Sequence, residues 1–119
     1  MVGAMSKKKA ASKRSRTERR EADRSAVKLA EARLKLAALE SGGSPERPIE
    51  VSSASIVEPH AAGLACAACG GPTRVLEHSA VTIPDASGSP RALRVVHVRC
   101  TRCGVERNIY FRLGTVLAN

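Results

Sequence analysis

The sequence predicts a small β domain clamped by a metal and preceded by a basic, largely helical arm, and three observations predict it. The only four cysteines form two CxxCG units, "CAACG" at Cys66–Gly70 and "CTRCG" at Cys100–Gly104. Between them lie two stretches rich in β-branched residues, "TRVLEHSAVTI" and "RALRVVHVR", separated by the turn-forming "PDASGSP". Ahead of them, residues 15–40 contain neither Gly nor Pro and consist largely of good helix formers. With 119 residues the chain has room for one small core. Domains of that size usually need a metal, a disulfide or a partner to offset chain entropy.

Taken in order, residues 1–14 are basic and of low complexity, and are expected to form a disordered tail. Residues 15–40 are expected to form a helix, with Ser15 and Glu18 as a capping box and "SGG" from Ser41 as its stop. Leu29, Ala32, Leu36 and Leu39 fall at helical spacing and give a narrow apolar stripe, with Glu31 and Lys35 as a favourable four-residue pair. Residues 41–63 mix Gly, Ser and Pro without a sustained period and read as a linker. Residues 64–114 form the folded module, in which "VERNIYFRL" supplies a third strand, and 115–119 are a C-terminal tail.

Charge is unevenly placed. Of the net +9, residues 1–40 contribute twelve Lys/Arg against five Asp/Glu, and residues 41–119 eight against six. This asymmetry points to a polyanion, nucleic acid ahead of an anionic membrane surface; a tail that only keeps the chain soluble is the bland alternative. No apolar run approaches the ~20 residues of a membrane span, and the start lacks the apolar segment of a secretory signal. A cytoplasmic protein is expected, although an Arg-, Ser- and Ala-rich start also suits an organellar transit peptide.

The two residues between paired cysteines let both sulfurs turn toward one point. Gly70 and Gly104 stand where the knuckle needs a positive φ. A hairpin turn centred near Ser87 would bring Cys69 and Cys100 to the same end and set His97 opposite Glu77. The stretch Leu64 to Leu113, from first knuckle through hairpin to second knuckle and last strand, resembles a zinc ribbon. The resemblance implies a three-stranded antiparallel sheet and one structural Zn²⁺ held by Cys66, Cys69, Cys100 and Cys103, with no open position for a catalytic water. Two disulfides, a thioredoxin-like redox pair and a rubredoxin-like iron site are the competing readings. His60, His78 and His97 are not assigned to the metal.

The expected function is non-enzymatic nucleic-acid binding. The contacts are assigned to Lys7, Lys8, Lys9, Lys13, Arg14, Arg16, Arg19 and Arg20 of the arm and to Arg99, Arg102, Arg107 and Arg112 of the module. Tyr110 and Phe111 are the only aromatic rings of their kind and would point to opposite faces of a strand, which favours backbone contacts over base stacking. No paired carboxylates, phosphate-binding glycine loop or Ser/His/Asp order suggests catalysis or a small-molecule substrate. Some zinc ribbons that act on RNA polymerase carry an acidic pair at the hairpin tip, where this chain has only Asp85. The alternative function is a protein-interaction module that docks on transcription or translation machinery, with Leu29, Leu36 and Leu39 meeting the partner.

Overall fold

A computed structural model describes the backbone of residues 2–114 and the side chains from Ser15 onward. Helix α1 spans Val2–Leu39. It continues through residues 2–14, assigned above to a disordered tail: this segment has no proline, and seven of its thirteen residues are Ala or Lys. Ser15 is therefore inside the helix and is no cap; its hydroxyl accepts a hydrogen bond from Arg19 Nη2 at 3.3 Å. The tail expected at 115–119 lies outside the described residues.

The segment 41–63 is not a linker. It contains strand β1 (Ile49–Val51) and helix α2 (Ala54–Gly63). Pro59 and the serines hide α2 from a sequence reading. The helix forms because Val57 and Ala61, four residues apart and fully buried, fill the space over the sheet. Pro59 has no N–H for the carbonyl of Ser55, which lies on an exposed residue that water can reach.

Strands β2 (Thr73–Pro84), β3 (Pro90–Cys100) and β4 (Glu106–Leu113) form the expected antiparallel set, and β1 joins it in parallel on the free edge of β4. The sheet thus has four strands and is mixed, in the order β1-β4-β3-β2, where three antiparallel strands were expected. The alternation of Ile49-Glu50-Val51 explains the addition: Ile49 and Val51 turn to the core, while Glu50 pairs with Arg112 across the ladder. Tyr110 and Phe111 do face opposite ways, with Phe111 fully buried and Tyr110 half-buried.

One apolar cluster lies between α2 and the sheet, formed by Val51, Val57, Ala61, Val96, Val98, Ile109 and Phe111. Its extent is small, which agrees with the need for a second source of stability. A second cluster is at the knuckle end of the hairpin, where Cys66, Ala68 and Cys100 are buried against Ala30 and Leu34 of α1. The helix thus docks through Ala30, Leu34 and Ala37, while Leu29, Leu36 and Leu39 of the predicted stripe stay exposed. The chain then reverses tightly: a Cβ on Gly43 would collide with the carbonyl oxygen of Ala37. Arg47 Nη1 caps the helix by donating to the Leu39 carbonyl at 2.5 Å. Among the described residues no helix is long and apolar enough to cross a membrane.

Candidate metal centre

The long hairpin brings the two knuckles together. Its ladder runs from Pro84↔Pro90 beside the tip to Thr73↔Cys100 at the open end. At the tip, the Asp85 carboxylate accepts hydrogen bonds from the Ser87 N–H (2.8 Å), the Ser87 hydroxyl (2.6 Å) and the Ser89 N–H (2.9 Å), which closes the turn where the sequence places it. At the open end, Thr101 N–H donates to the Pro72 carbonyl at 2.9 Å and ties one knuckle to the other.

The two knuckles repeat one backbone design. Gly70 N–H donates to the Cys66 carbonyl at 2.8 Å, and Gly104 N–H to the Cys100 carbonyl at 3.1 Å. Cys66 N–H closes on the Gly71 carbonyl and Cys100 N–H on the Val105 carbonyl, both at 2.9 Å. Gly70 and Gly104 have φ of 77° and 78°, the left-handed region that a Cβ disfavours. Each turn also aims amides at sulfur: Gly71 N–H reaches Cys69 Sγ at 3.4 Å, and the Arg102 and Cys103 N–H groups reach Cys100 Sγ at 3.3 Å.

All four sulfurs lie within 4.8 Å of one another. Two sulfur pairs span the knuckles closely, 3.4 Å from Cys69 to Cys100 and 3.6 Å from Cys66 to Cys103. A tetrahedral ion with metal–sulfur bonds of ~2.3 Å has edges of about 3.8 Å, whereas a disulfide requires about 2.05 Å. The four cysteines are free thiols by this measure, so the donor set fits one thiolate-bound metal ion and not two disulfides.

The electrostatics lead the same way. Amide donation from Cys103, then Arg102, draws the Cys100 thiol down to about 6 in spite of its desolvation. Cys103 goes the other way: the Val105 amide favours its thiolate, but desolvation and the neighbouring thiols of Cys69, Cys100 and Cys66 outweigh it and push it up to about 12. Four adjacent sulfurs cannot all ionise on their own, and a divalent cation among them removes the conflict.

None of the histidines joins the site. His97 sits opposite Glu77, as the turn position predicts, but its hydrogen bonds run to β4: Nε2 to Glu106 Oε1 at 2.6 Å and Nδ1 to Asn108 Oδ1 at 2.7 Å. The Glu106 hydrogen bond, and then that of Asn108, raises its pKa. His78 Nδ1 meets Glu58 of α2 at 3.1 Å, and His60 packs edge-on against Phe111.

The residues expected to touch nucleic acid are dispersed. Lys7, Lys8, Lys9, Lys13 and Arg14 lie on α1, and their side chains fall outside those described. Arg16, Arg19 and Arg20 are exposed on the helix, and Arg99 and Arg102 are exposed beside the second knuckle. Arg112 is committed to Glu50, and Arg107 is half-buried, so they do not extend that pair into one four-arginine face. Two arginines that matter to the site escape sequence reasoning. Arg33 of α1 donates from Nη1 to the Ala68 carbonyl of the first knuckle at 3.3 Å. Arg74 stands directly opposite Arg99, because the ladder slips between Val75 and Glu77. Counting rungs from Ser87 without that slip would set Arg74 against Cys100.

Comparison with known protein families, curated proteins and solved structures gives no match. The centre is therefore defined by its own chemistry: a four-cysteine group, built by two equivalent turns on a small sheet, able to hold a metal ion.

Proposed function

We propose that the chain is a non-enzymatic protein of the zinc-ribbon type, in which Cys66, Cys69, Cys100 and Cys103 hold one structural Zn²⁺ and helix α1 binds nucleic acid. Four thiolates complete a tetrahedral shell and leave no position for water or substrate, so the ion's role is to hold the hairpin. Zinc suits an all-thiolate tetrahedron, and so does iron; one zinc per chain by elemental analysis of a colourless protein supports the reading, and a red iron protein would overturn it.

The observation that carries the nucleic-acid reading is a row of cations on α1. Arg16, Arg20, Arg24 and Lys28 recur every four residues, are exposed, and take part in none of the ion pairs among the described residues. At 1.5 Å per residue the row is about 18 Å long, enough to follow several phosphates. Because α1 packs on the knuckles from Ala30 onward, deleting the helix would confuse binding with folding. Replacing the four cations by Gln removes only charge. Wild-type protein should bind a DNA duplex with affinity that falls steeply with salt, and the variant should show a shallower log–log slope, by about 0.9 for each phosphate no longer neutralised. A wild type that binds neither DNA nor RNA at low salt defeats the reading.

A second reading, docking on a protein assembly, is favoured by Leu29, Leu36 and Leu39, which are 51%, 60% and 62% exposed on α1. Absence of nucleic-acid binding by a folded, metal-loaded chain would leave this reading in its place.

A further inference from the structure

We propose that Arg74, Arg99 and Arg102 form a phosphate-binding cleft beside the second knuckle, which takes a backbone phosphate of the polynucleotide; this rests on the nucleic-acid reading above. The three side chains line a concavity of about 530 Å³ together with Leu76, Thr101 and Cys103. None of the three guanidinium groups has a hydrogen bond or ion pair among the described residues, whereas Arg91, Arg112 and Arg33 each have a protein partner.

Their placement is costly without an anion. Arg74 and Arg99 are directly opposite on neighbouring strands, a like-charge pairing that disfavours the sheet. The acid next in line, Glu106, is the ladder partner of Arg99 but accepts its hydrogen bond from His97. A slip in the ladder creates the arrangement: it moves Arg74 onto the rung of Arg99 and leaves Leu76 46% exposed at the cleft wall. Arg99 Nη2 lies over Gly104, 3.7 Å from where a Cβ would stand, so a larger residue there would narrow the cleft. Planar forks on residues lining one concavity suit the oxygens of a phosphodiester, and the exposed leucine offers an apolar surface to the adjoining sugar.

The rival role is internal. A divalent ion with four thiolates carries two formal negative charges, and nearby arginines would offset them. Three guanidinium groups exceed that requirement by one, and the excess is available to a ligand.

The test compares full-length, metal-loaded wild type with Arg74→Gln/Arg99→Gln/Arg102→Gln in binding a fluorescent DNA duplex across a salt series, with metal content measured on both. Arg99→Lys, which keeps the charge and loses the fork, is a second variant for the case in which the triple change fails to fold. The expected result is a log–log slope shallower by about 0.9 for each phosphate that the triple variant no longer neutralises, at equal metal content. For Arg99→Lys, weaker binding at nearly unchanged slope is expected. Equal binding and slope in wild type and variants overturns the cleft and leaves the role of α1 standing. Reduced metal retention with an unchanged slope assigns the arginines to charge compensation and also overturns it. If wild type binds no polynucleotide, both proposals fall. Titration with inorganic phosphate followed by ³¹P NMR then separates the sources, because binding of free phosphate alone would contradict the polynucleotide assignment.

Discussion

The two knuckles share their turns and their glycine conformations, yet their surroundings differ. The first, with alanines between its cysteines, is covered: Cys66 and Ala68 are buried, Leu34 rests on them, and Arg33 holds the Ala68 carbonyl. The second buries Cys100 in the same cluster but leaves Thr101, Arg102 and Cys103 exposed. Two turns of one backbone design thus serve two ends. One knuckle anchors α1 to the sheet, and the other presents side chains to solvent. The two knuckles differ in the residues inside each CxxC, Ala67 and Ala68 in one and Thr101 and Arg102 in the other, while their cysteines and following glycines are the same.

The largest effect that can break this comparison is loss of the ion proposed to sit between the knuckles, to which each would contribute two sulfurs. Cys100→Ser removes the sulfur that receives two amide hydrogen bonds and lies 3.4 Å from that of Cys69. The variant, and wild type in strong chelator, should lose the cooperative thermal transition of the sheet as followed by circular dichroism. A transition that survives chelation would mean that the small cluster around Phe111 is sufficient alone.

A smaller effect separates the covered knuckle from the open one. Leu34→Ala should destabilise the chain by about 1–2 kcal/mol in urea unfolding, because a half-buried side chain leaves the first knuckle. Leu36→Ala, on the exposed side, should change stability by no more than about 0.5 kcal/mol. Equal losses would show that α1 does not dock by the Ala30–Leu34–Ala37 side.

The smallest effect concerns the strand that leads into the open knuckle. Glu106 raises the pKa of His97, so the protonated histidine is favoured in the folded state. That contribution is complete below the unfolded-chain value of about 6.5 and is lost as pH rises through the higher folded value. A modest fall in Tm across that window should flatten in Glu106→Gln; an unchanged profile would remove the pair from the account.

Parts of this architecture were legible in the sequence because local chemistry imposes them. The cysteine spacing and the following glycines mark the knuckles, and the β-branched runs around "PDASGSP" mark the hairpin closely enough to place His97 opposite Glu77. What escaped depends on tertiary neighbours. Ile49–Val51 is too short to announce itself as a strand until β4 offers an edge, and Val57 and Ala61 make a helix despite Pro59 only because an apolar sheet lies beneath them. Ala30, Leu34 and Ala37 follow a helical period no better than the larger leucines beside them, so only the position of the knuckle selects between the two sides. The slip at Leu76 left no composition signal, and with it went the pairing of Arg74 with Arg99.

The slip has one more effect. In the order β1-β4-β3-β2 the long strand β2 is an outer edge, twelve residues with backbone groups open to a second chain. Such borders invite strand-by-strand stacking of copies into aggregates. The irregular step at Leu76, the charges of Arg74 and Glu77 and the terminal Pro84 make that border a poor template, and on the opposite side β1 offers only three residues. The irregularity that gathers the arginines also discourages the sheet from growing.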